Sequence, residues 1–237
     1  MKAVAPLFLL SLPVWAAAAP VDSWPENETP WVPSKEEVER GTPGDGTPVW
    51  RNDFLLNGCA DVILFYARNT YQMGNVGRYP GPALAALLEK RYGVKNVAVQ
   101  GLNYNGGIFP NVKAQGTEDK AIALLKHLIT DAFFACRKSK IVVAAYGQGA
   151  CAVHAAFETL DADILERVNG VVTFGDPRKV QHNNKIPNYP VEKTLFICNS
   201  GDTFCEEGLM IWNLVHGDYE RRAPEAARFL IEMMDQA

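Results

Sequence analysis

The sequence lacks a cluster of basic residues and any excess of positive charge. Its 237 residues include 23 lysines and arginines against 27 aspartates and glutamates, which gives a formal net charge of −4. Binding to a phosphate backbone requires clustered cations, and here both signs of charge are spread along the chain. The charge pattern therefore argues against nucleic acid as a partner.

Long hydrophobic runs are absent except at the N-terminus. Lys2 precedes an apolar run over residues 4–15, and small alanines follow. This is the order of a secretory signal peptide, and the run is too short to span a bilayer. We therefore expect a signal peptide over residues 1–18, cleavage after Ala18, and a secreted, extracellular product without a transmembrane segment. A retained N-terminal anchor is the alternative.

Metal-ligand spacing is also missing. There is no C-x-x-C motif, and His127, His154 and His182 do not share a ligand spacing. Asp176 is followed by a proline after an apolar run, which is typical of a turn. We expect neither a metal nor another cofactor.

The composition divides the mature chain into an arm and a domain. Residues 19–57 are rich in proline and glycine, which predicts an extended, partly disordered N-terminal arm. The arm holds the N-x-[ST] sequon at Asn27. Residues 58–237 have the composition of one globular domain, and no internal repeat is visible.

The number of cysteines is odd. In an oxidising compartment, five cysteines predict two disulfide bridges and one free thiol. Their spacing does not fix which residues pair; they are Cys59, Cys136, Cys151, Cys198 and Cys205.

Short apolar segments alternate with helical ones beyond the arm. Runs without strict alternation predict strands buried on both faces, at residues 62–67, 94–100, 141–146, 171–174 and 194–198. Helical patterns cover residues 82–92, 117–134, 148–160 and 224–234, the second with Thr117 as its N-cap. Alternating strands and helices predict a three-layer α/β/α sandwich with a mainly parallel central sheet.

Residues 141–149 predict a strand, a sharp turn and a helix, the arrangement of the G-x-S-x-G nucleophile elbow in α/β-hydrolases. Ala145 and Gly149 supply the small residues at the two ends, but the central residue is Gly147. Asp202 and His216 follow in the chain order of nucleophile, acid and base. Taken singly, each is more often structural; together with the elbow they indicate the remains of a catalytic triad.

Several separated motifs from residue 59 to the C-terminus resemble the fungal cutinase family in order and spacing. They are CADVILFYAR at 59–68, GNVG at 74–77, YGQGA at 146–150, IPNYP at 186–190, CNSGDTFC at 198–205 and VH at 215–216. The resemblance implies a secreted, monomeric α/β-hydrolase without a lid, and an activity on cutin, short acyl esters or similar insoluble esters.

The resemblance also implies roles for individual residues. Gly147 stands at the nucleophile position, Asp202 orients the base, and His216 transfers the proton. Thr70 is the hydroxyl residue of the oxyanion hole, and the backbone N–H groups of Thr70 and Gln148 are its donors. The disulfides it implies are Cys59–Cys136 and Cys198–Cys205.

The sequence departs from the family pattern at four positions, all of them near the chemistry. Gly147 replaces the nucleophilic serine and Ala145 the first elbow glycine. Asn69 replaces a glycine before the oxyanion residue, and Thr70 replaces a serine there.

Without a hydroxyl at residue 147 no acyl-enzyme can form, and loss of a triad nucleophile lowers kcat by about 10⁶. Glycine adopts the strained elbow backbone readily, so we expect the fold to persist. Cys151, four residues further on, is expected to be a buried and inert thiol.

Two function classes remain open. The first is a non-catalytic secreted cutinase homologue that binds an ester, wax or lipid surface, or a host protein, through the old cleft. The second is an esterase with residual activity through water activated by His216 and Asp202, or an inactivated variant of a working cutinase.

Overall fold

A parallel β-sheet forms the centre of the protein. The computed structural model describes residues 46–208 and 214–236. In this part of the chain all sheet pairings are parallel, with the strand order β2-β1-β3-β4-β5. The strands are β1 (Val62–Ala67), β2 (Val97–Gly101), β3 (Lys140–Tyr146), β4 (Val168–Phe174) and β5 (Thr194–Ile197).

Helices cover both faces of this sheet. The described α-helices are α1 (Asp53–Asn57), α2 (Gly81–Tyr92), α3 (Asp119–Ala135), α4 (Gln148–Phe157), α5 (Ala162–Glu166), α6 (Thr203–Glu206) and α7 (Ala223–Asp235). Helices α2 and α7 pack on one face, and α3, α4 and α5 pack on the other. The predicted three-layer α/β/α sandwich is confirmed.

Burial on both faces explains why the strands show no alternation of polar and apolar residues. Every residue of β1 is buried. Ile63 and Phe65 enter the core under α3 and α4, whereas Val62 and Leu64 enter the core under α2 and α7. Successive side chains point to opposite faces, so a strand between two helical layers must be apolar throughout.

The predicted N-cap of the long helix α3 is wrong. The helix begins at Asp119 with Glu118 as its N-cap residue, while Thr117 is fully buried. The carboxylate of Glu118 accepts hydrogen bonds from the backbone N–H groups of Asn105 and Gly106, at 3.3 and 2.8 Å. Glu118 therefore ties the helix start to the preceding loop, a long-range contact that capping preferences do not encode.

Residues 46–57, the part of the predicted arm that the structure describes, pack against the domain. Val49 is fully buried, and Phe54 on α1 packs edge-to-face on Phe65, with 5.5 Å between ring centroids. Asn52 forms an isolated bridge with Gln100 next to the edge strand β2. Buried apolar side chains hold this segment on the domain, together with backbone hydrogen bonds such as that from the Gly101 N–H to the Arg51 carbonyl at 2.9 Å.

The predicted signal peptide, the remaining arm and the sequon at Asn27 lie outside the described residues. Among the helices that the structure does describe, none is long and apolar enough to cross a membrane.

Two disulfides close loops of very different length. Cys59–Cys136 joins the start of the domain to the end of α3 across 77 residues. Cys198–Cys205 spans seven residues between β5 and α6. These are the pairs that the family resemblance implies, and Cys151 is free and buried.

Candidate active site

The turn between β3 and α4 has the backbone geometry of a nucleophile elbow. Gly147 lies between the two elements with φ 53° and ψ −115°, a conformation that residues with a side chain rarely adopt. A Cβ atom on Gly149 would lie 2.1 Å from the carbonyl oxygen of Ala67. Glycine at position 149 therefore lets the start of α4 approach the end of β1.

Asp202 and His216 meet at the carboxyl ends of the strands. The His216 Nδ1 atom lies 2.9 Å from Oδ2 and 3.1 Å from Oδ1 of Asp202, and both residues are buried. The Tyr219 hydroxyl donates to Oδ2, and the Phe204 backbone N–H donates to Oδ1 at 3.1 Å. These bonds fix the carboxylate from three directions.

The same contacts set the charge state of the pair. Burial raises the pKa of Asp202, but the hydrogen bonds from His216 and Tyr219 outweigh burial and hold the pKa below its ordinary value. The ionised carboxylate therefore accepts a hydrogen bond from Nδ1–H, and in the neutral imidazole the lone pair is then on Nε2, which faces Asn69.

Aromatic rings hold the His216 imidazole in place. Phe204 stacks on it with 4.3 Å between ring centroids, and Tyr146 lies at 5.3 Å. The Tyr146 hydroxyl donates to the His216 backbone carbonyl. Gly175 makes room for the imidazole, because a Cβ atom there would lie 2.8 Å from Cε1.

The carboxamide of Asn69 lies between His216 and the elbow. Its Oδ1 atom accepts hydrogen bonds from the backbone N–H groups of Thr70 at 2.8 Å and Gln148 at 3.1 Å. Its Nδ2 atom lies 3.2 Å from His216 Nε2 and donates to it, since Nε2 carries the lone pair. One side chain thus contacts both predicted oxyanion donors and the predicted base. The sequence identified Asn69 as a departure but did not predict this contact.

The hydroxyl of Thr70 does not contact Asn69 Oδ1, the atom that the Thr70 backbone N–H binds, but contacts Asn111. The side-chain amide of Asn111 donates to it at 3.1 Å. The Gln148 side chain donates to the backbone carbonyl of Gly107 at 2.8 Å. Only the backbone N–H groups of Thr70 and Gln148 converge on a common point, as an oxyanion hole requires.

A partly enclosed cleft of about 380 Å³ opens beside these residues. Its apolar wall includes Tyr71, Ile108, Pro177 and Phe204. Tyr71 and Ile108 are also exposed to solvent, so apolar surface continues from the cleft onto the outside of the protein.

Cys151 lines the cleft as a buried, free thiol. The residue is 3% exposed, and burial raises the pKa of its thiol to about 12. At neutral pH the group is a protonated thiol, whereas cysteine attacks as a thiolate.

A second buried His–Asp pair, His154 with Asp176, was not predicted from the sequence. His154 Nε2 lies 3.0 Å from Asp176, and its Nδ1 lies 3.3 Å from His182 Nδ1. Asp176 does accept a turn hydrogen bond from the Arg178 backbone N–H, but its interpretation as a turn residue alone is wrong. The available signal was that Asp176 and His154 follow adjacent strands.

Within residues 46–208 and 214–236, no three or more His, Cys, Asp or Glu side chains form a metal-binding group.

A parallel sheet between helical layers, with a sharp turn after β3 and a His–Asp pair at the carboxyl ends of the strands, defines an α/β-hydrolase fold. The sequence profile of the cutinase family matches residues 58–234. The chain therefore belongs to the cutinase family.

Individual relatives agree with this assignment. A cutinase of Pyricularia oryzae is 41% identical over 179 residues, which cover 76% of this chain and 83% of that protein. A cutinase of Fusarium solani subsp. cucurbitae is 36% identical over 188 residues, covering 76% and 80%. The structure of a Trichoderma reesei cutinase in complex with a phosphonate inhibitor is similar, with a TM-score of 0.73 and 28% identity over 84% of this chain and 86% of that one.

Proposed function

We propose that this protein is a secreted, catalytically silent member of the cutinase family that binds an ester, wax or lipid surface. The observation that carries the proposal is the site itself: Gly147 replaces the nucleophile, and the Asn69 carboxamide fills the space beside His216. The two disulfides and the signal-like N-terminus support secretion.

Among the residues that the structure describes, no other group near the elbow replaces the missing serine. Cys151 is buried and protonated, and the Thr70 hydroxyl is hydrogen-bonded to Asn111. Without a nucleophile, kcat is expected to fall by about 10⁶ relative to a serine enzyme.

The preserved Asp202–His216 pair favours a second candidate, an esterase with residual activity. In this alternative, His216 activates a water molecule for direct attack on the ester. The route requires Nε2 to be available to water, and in this structure Nε2 faces the Asn69 carboxamide at 3.2 Å. The silent site is therefore the better-supported proposal.

Exposed apolar side chains next to the cleft support surface binding. Tyr71 and Ile108 line the cleft and are exposed, and Phe109 and Val112 in the following turn are each 84% exposed. Leu214, two residues before His216, is 80% exposed. Exposed apolar groups next to a cleft fit a waxy or polyester surface better than a polar polysaccharide.

Hydrolysis of p-nitrophenyl butyrate by the purified mature protein tests the silent site. We expect no turnover above the background of a His216→Ala variant, because neither protein has a nucleophile. Turnover that disappears in His216→Ala would contradict the proposal and favour the activated-water route.

Co-sedimentation with cutin or wax particles, beside a cellulose control, tests the surface. Val112→Ser and Phe109→Ser are expected to lower the bound fraction because they remove apolar contact area. Val94→Ser is the matched control, since Val94 is 69% exposed but lies before the amino end of β2, away from the cleft. Absence of binding to cutin and wax, or equal loss in Val94→Ser, would overturn surface binding and leave a host protein as the ligand to seek.

A further inference from the structure

The Asn69 carboxamide occupies the place that a side chain at residue 147 would need. A Cβ atom built on Gly147 would lie 2.1 Å from Oδ1, 2.4 Å from Cγ and 2.9 Å from Nδ2 of Asn69. In real structures, essentially no Cβ atom lies closer than 3.0 Å to a heavy atom of a residue that is not its chain neighbour. A serine at residue 147 and the observed position of Asn69 therefore exclude each other.

Asn69 cannot give way without loss, because it is held at both ends. The carboxamide makes hydrogen bonds to the backbone N–H groups of Thr70 and Gln148 and to His216. Its own backbone N–H donates to the Gln72 side chain at 3.1 Å. Moving the carboxamide breaks all three of its hydrogen bonds at once and leaves two backbone N–H groups without their acceptor.

The contacts of Asn69 are those that an ester or amide substrate would make. In acyl transfer, two backbone N–H groups hold the carbonyl oxygen, and the leaving group lies next to the histidine. Asn69 presents its carbonyl oxygen to Thr70 and Gln148 and its amide nitrogen to His216. While it stays there, a substrate carbonyl has no free donors to bind.

We propose that Asn69 is an internal ligand of the oxyanion hole and the second determinant of the silent site. Asn69 and Gly147 form a coupled pair, so that replacing Gly147 alone does not restore the chemistry and both must change. This inference rests on the proposed function, because it describes the same site.

Covalent labelling by an alkylphosphonate ester with a p-nitrophenolate leaving group tests the pair. The oxygen of an introduced serine forms a bond to phosphorus, the phosphorus–oxygen bond to p-nitrophenolate breaks, and His216 takes the serine proton. Intact mass measures the rate of modification in Gly147→Ser and in Asn69→Gly/Gly147→Ser. An oxyanion hole without its donors costs about 10²- to 10³-fold in rate, and we expect the double variant to react faster by that factor.

A matched control removes an asparagine side chain nearby. Asn105 is exposed on a neighbouring loop and does not line the cleft. Asn105→Gly in the Gly147→Ser background is expected to leave labelling slow. Equal rates in Gly147→Ser and in the Asn69→Gly/Gly147→Ser double variant would overturn the proposal, and so would a double variant that does not react.

Thermal unfolding gives a readout that does not depend on chemistry. Asn69→Gly is expected to lower Tm in the unmodified protein, where two backbone N–H groups lose their acceptor. The same change is expected to raise Tm in the Gly147→Ser background, where it removes the overlap. If Asn69→Gly shifts Tm by the same amount in both backgrounds, or if the double variant fails to fold, the coupling of Asn69 and Gly147 is contradicted.

The two proposals fail in different ways. Ester turnover by the unmodified protein that requires His216 defeats the silent-site proposal whatever the variants do. A silent unmodified protein together with a fully reactive Gly147→Ser variant defeats only the coupling of Asn69 and Gly147.

Discussion

At the scale of single residues, Gly147 is constrained twice. Its φ of 53° disfavours any side chain, and the Asn69 carboxamide fills the space that a Cβ atom would take. A sparsely populated backbone conformation of this kind costs a residue with a Cβ atom about 1–3 kcal/mol, before the overlap is counted.

Gly147→Ala should therefore lower the free energy of unfolding by at least about 1–3 kcal/mol. Urea unfolding followed by fluorescence measures the loss. Gly107→Ala is the control, because a Cβ atom there meets only the Asn105 side chain at 3.4 Å. A Gly147→Ala variant as stable as Gly107→Ala would show that the elbow is not strained.

The depressed pKa of Asp202 predicts a pH dependence of stability. Since the folded-state pKa lies below the ordinary value, the unfolded chain binds this proton more tightly. The stabilisation is thus complete above the ordinary carboxyl pKa of about 4 and is lost as pH falls through the lower folded-state pKa. Asp202→Asn should cost about 1.5–3 kcal/mol at neutral pH, with the difference from the unmodified protein shrinking in acid.

Asp218→Asn is the control for this measurement, because Asp218 forms an ion pair with Arg221 in which both side chains are more than half exposed. We expect it to have little effect at any pH. A stability difference for Asp202→Asn that does not change with pH would argue that the carboxylate charge does not matter.

At the scale of elements, β1 was predicted with its observed bounds because an apolar run follows Asp61 directly and ends before Arg68. The strand predicted from residue 94 begins only at Val97, because Val94–Asn96 form a short 3₁₀-helix in which Val94 is exposed. Helices α1, α5 and α6 are four or five residues long, too short for a periodic signal.

The candidate site was predictable only in part, because sequence patterns report local structure and chain order but not long-range contacts. Chain order placed Asp202 and His216 as partners, and the turn after β3 marked Gly147. The position of the Asn69 carboxamide depends on how three segments distant in sequence approach one another, and neither motifs nor periodicity encode that approach.

The two disulfides should differ in their contribution to stability. In the chain-entropy model, Cys59–Cys136, which closes 77 residues, contributes about 4 kcal/mol, and Cys198–Cys205, which closes seven, about 2.5 kcal/mol. Double serine variants of each pair, compared by urea unfolding, measure the two losses. A larger loss for Cys198–Cys205 would show that the short loop acts through native contacts around Asp202 rather than through the unfolded chain.

At the scale of the whole molecule, the proposed silent site lies in an intact fold. The sheet, both helical layers and the Asp202–His216 pair are in place, and the departures from the family pattern are concentrated at the elbow and the oxyanion hole. The cutinase-family fold is thus intact around a site in which Asn69 contacts the backbone N–H groups of Thr70 and Gln148 and the Nε2 atom of His216.

Steady-state hydrolysis of p-nitrophenyl butyrate by the Asn69→Gly/Gly147→Ser variant, with and without His216→Ala, tests this account most directly. We predict turnover by the double variant that disappears when His216 is also replaced, while the unmodified protein stays silent. A folded double variant without turnover, or an unmodified protein that already hydrolyses the ester in a His216-dependent way, would contradict it.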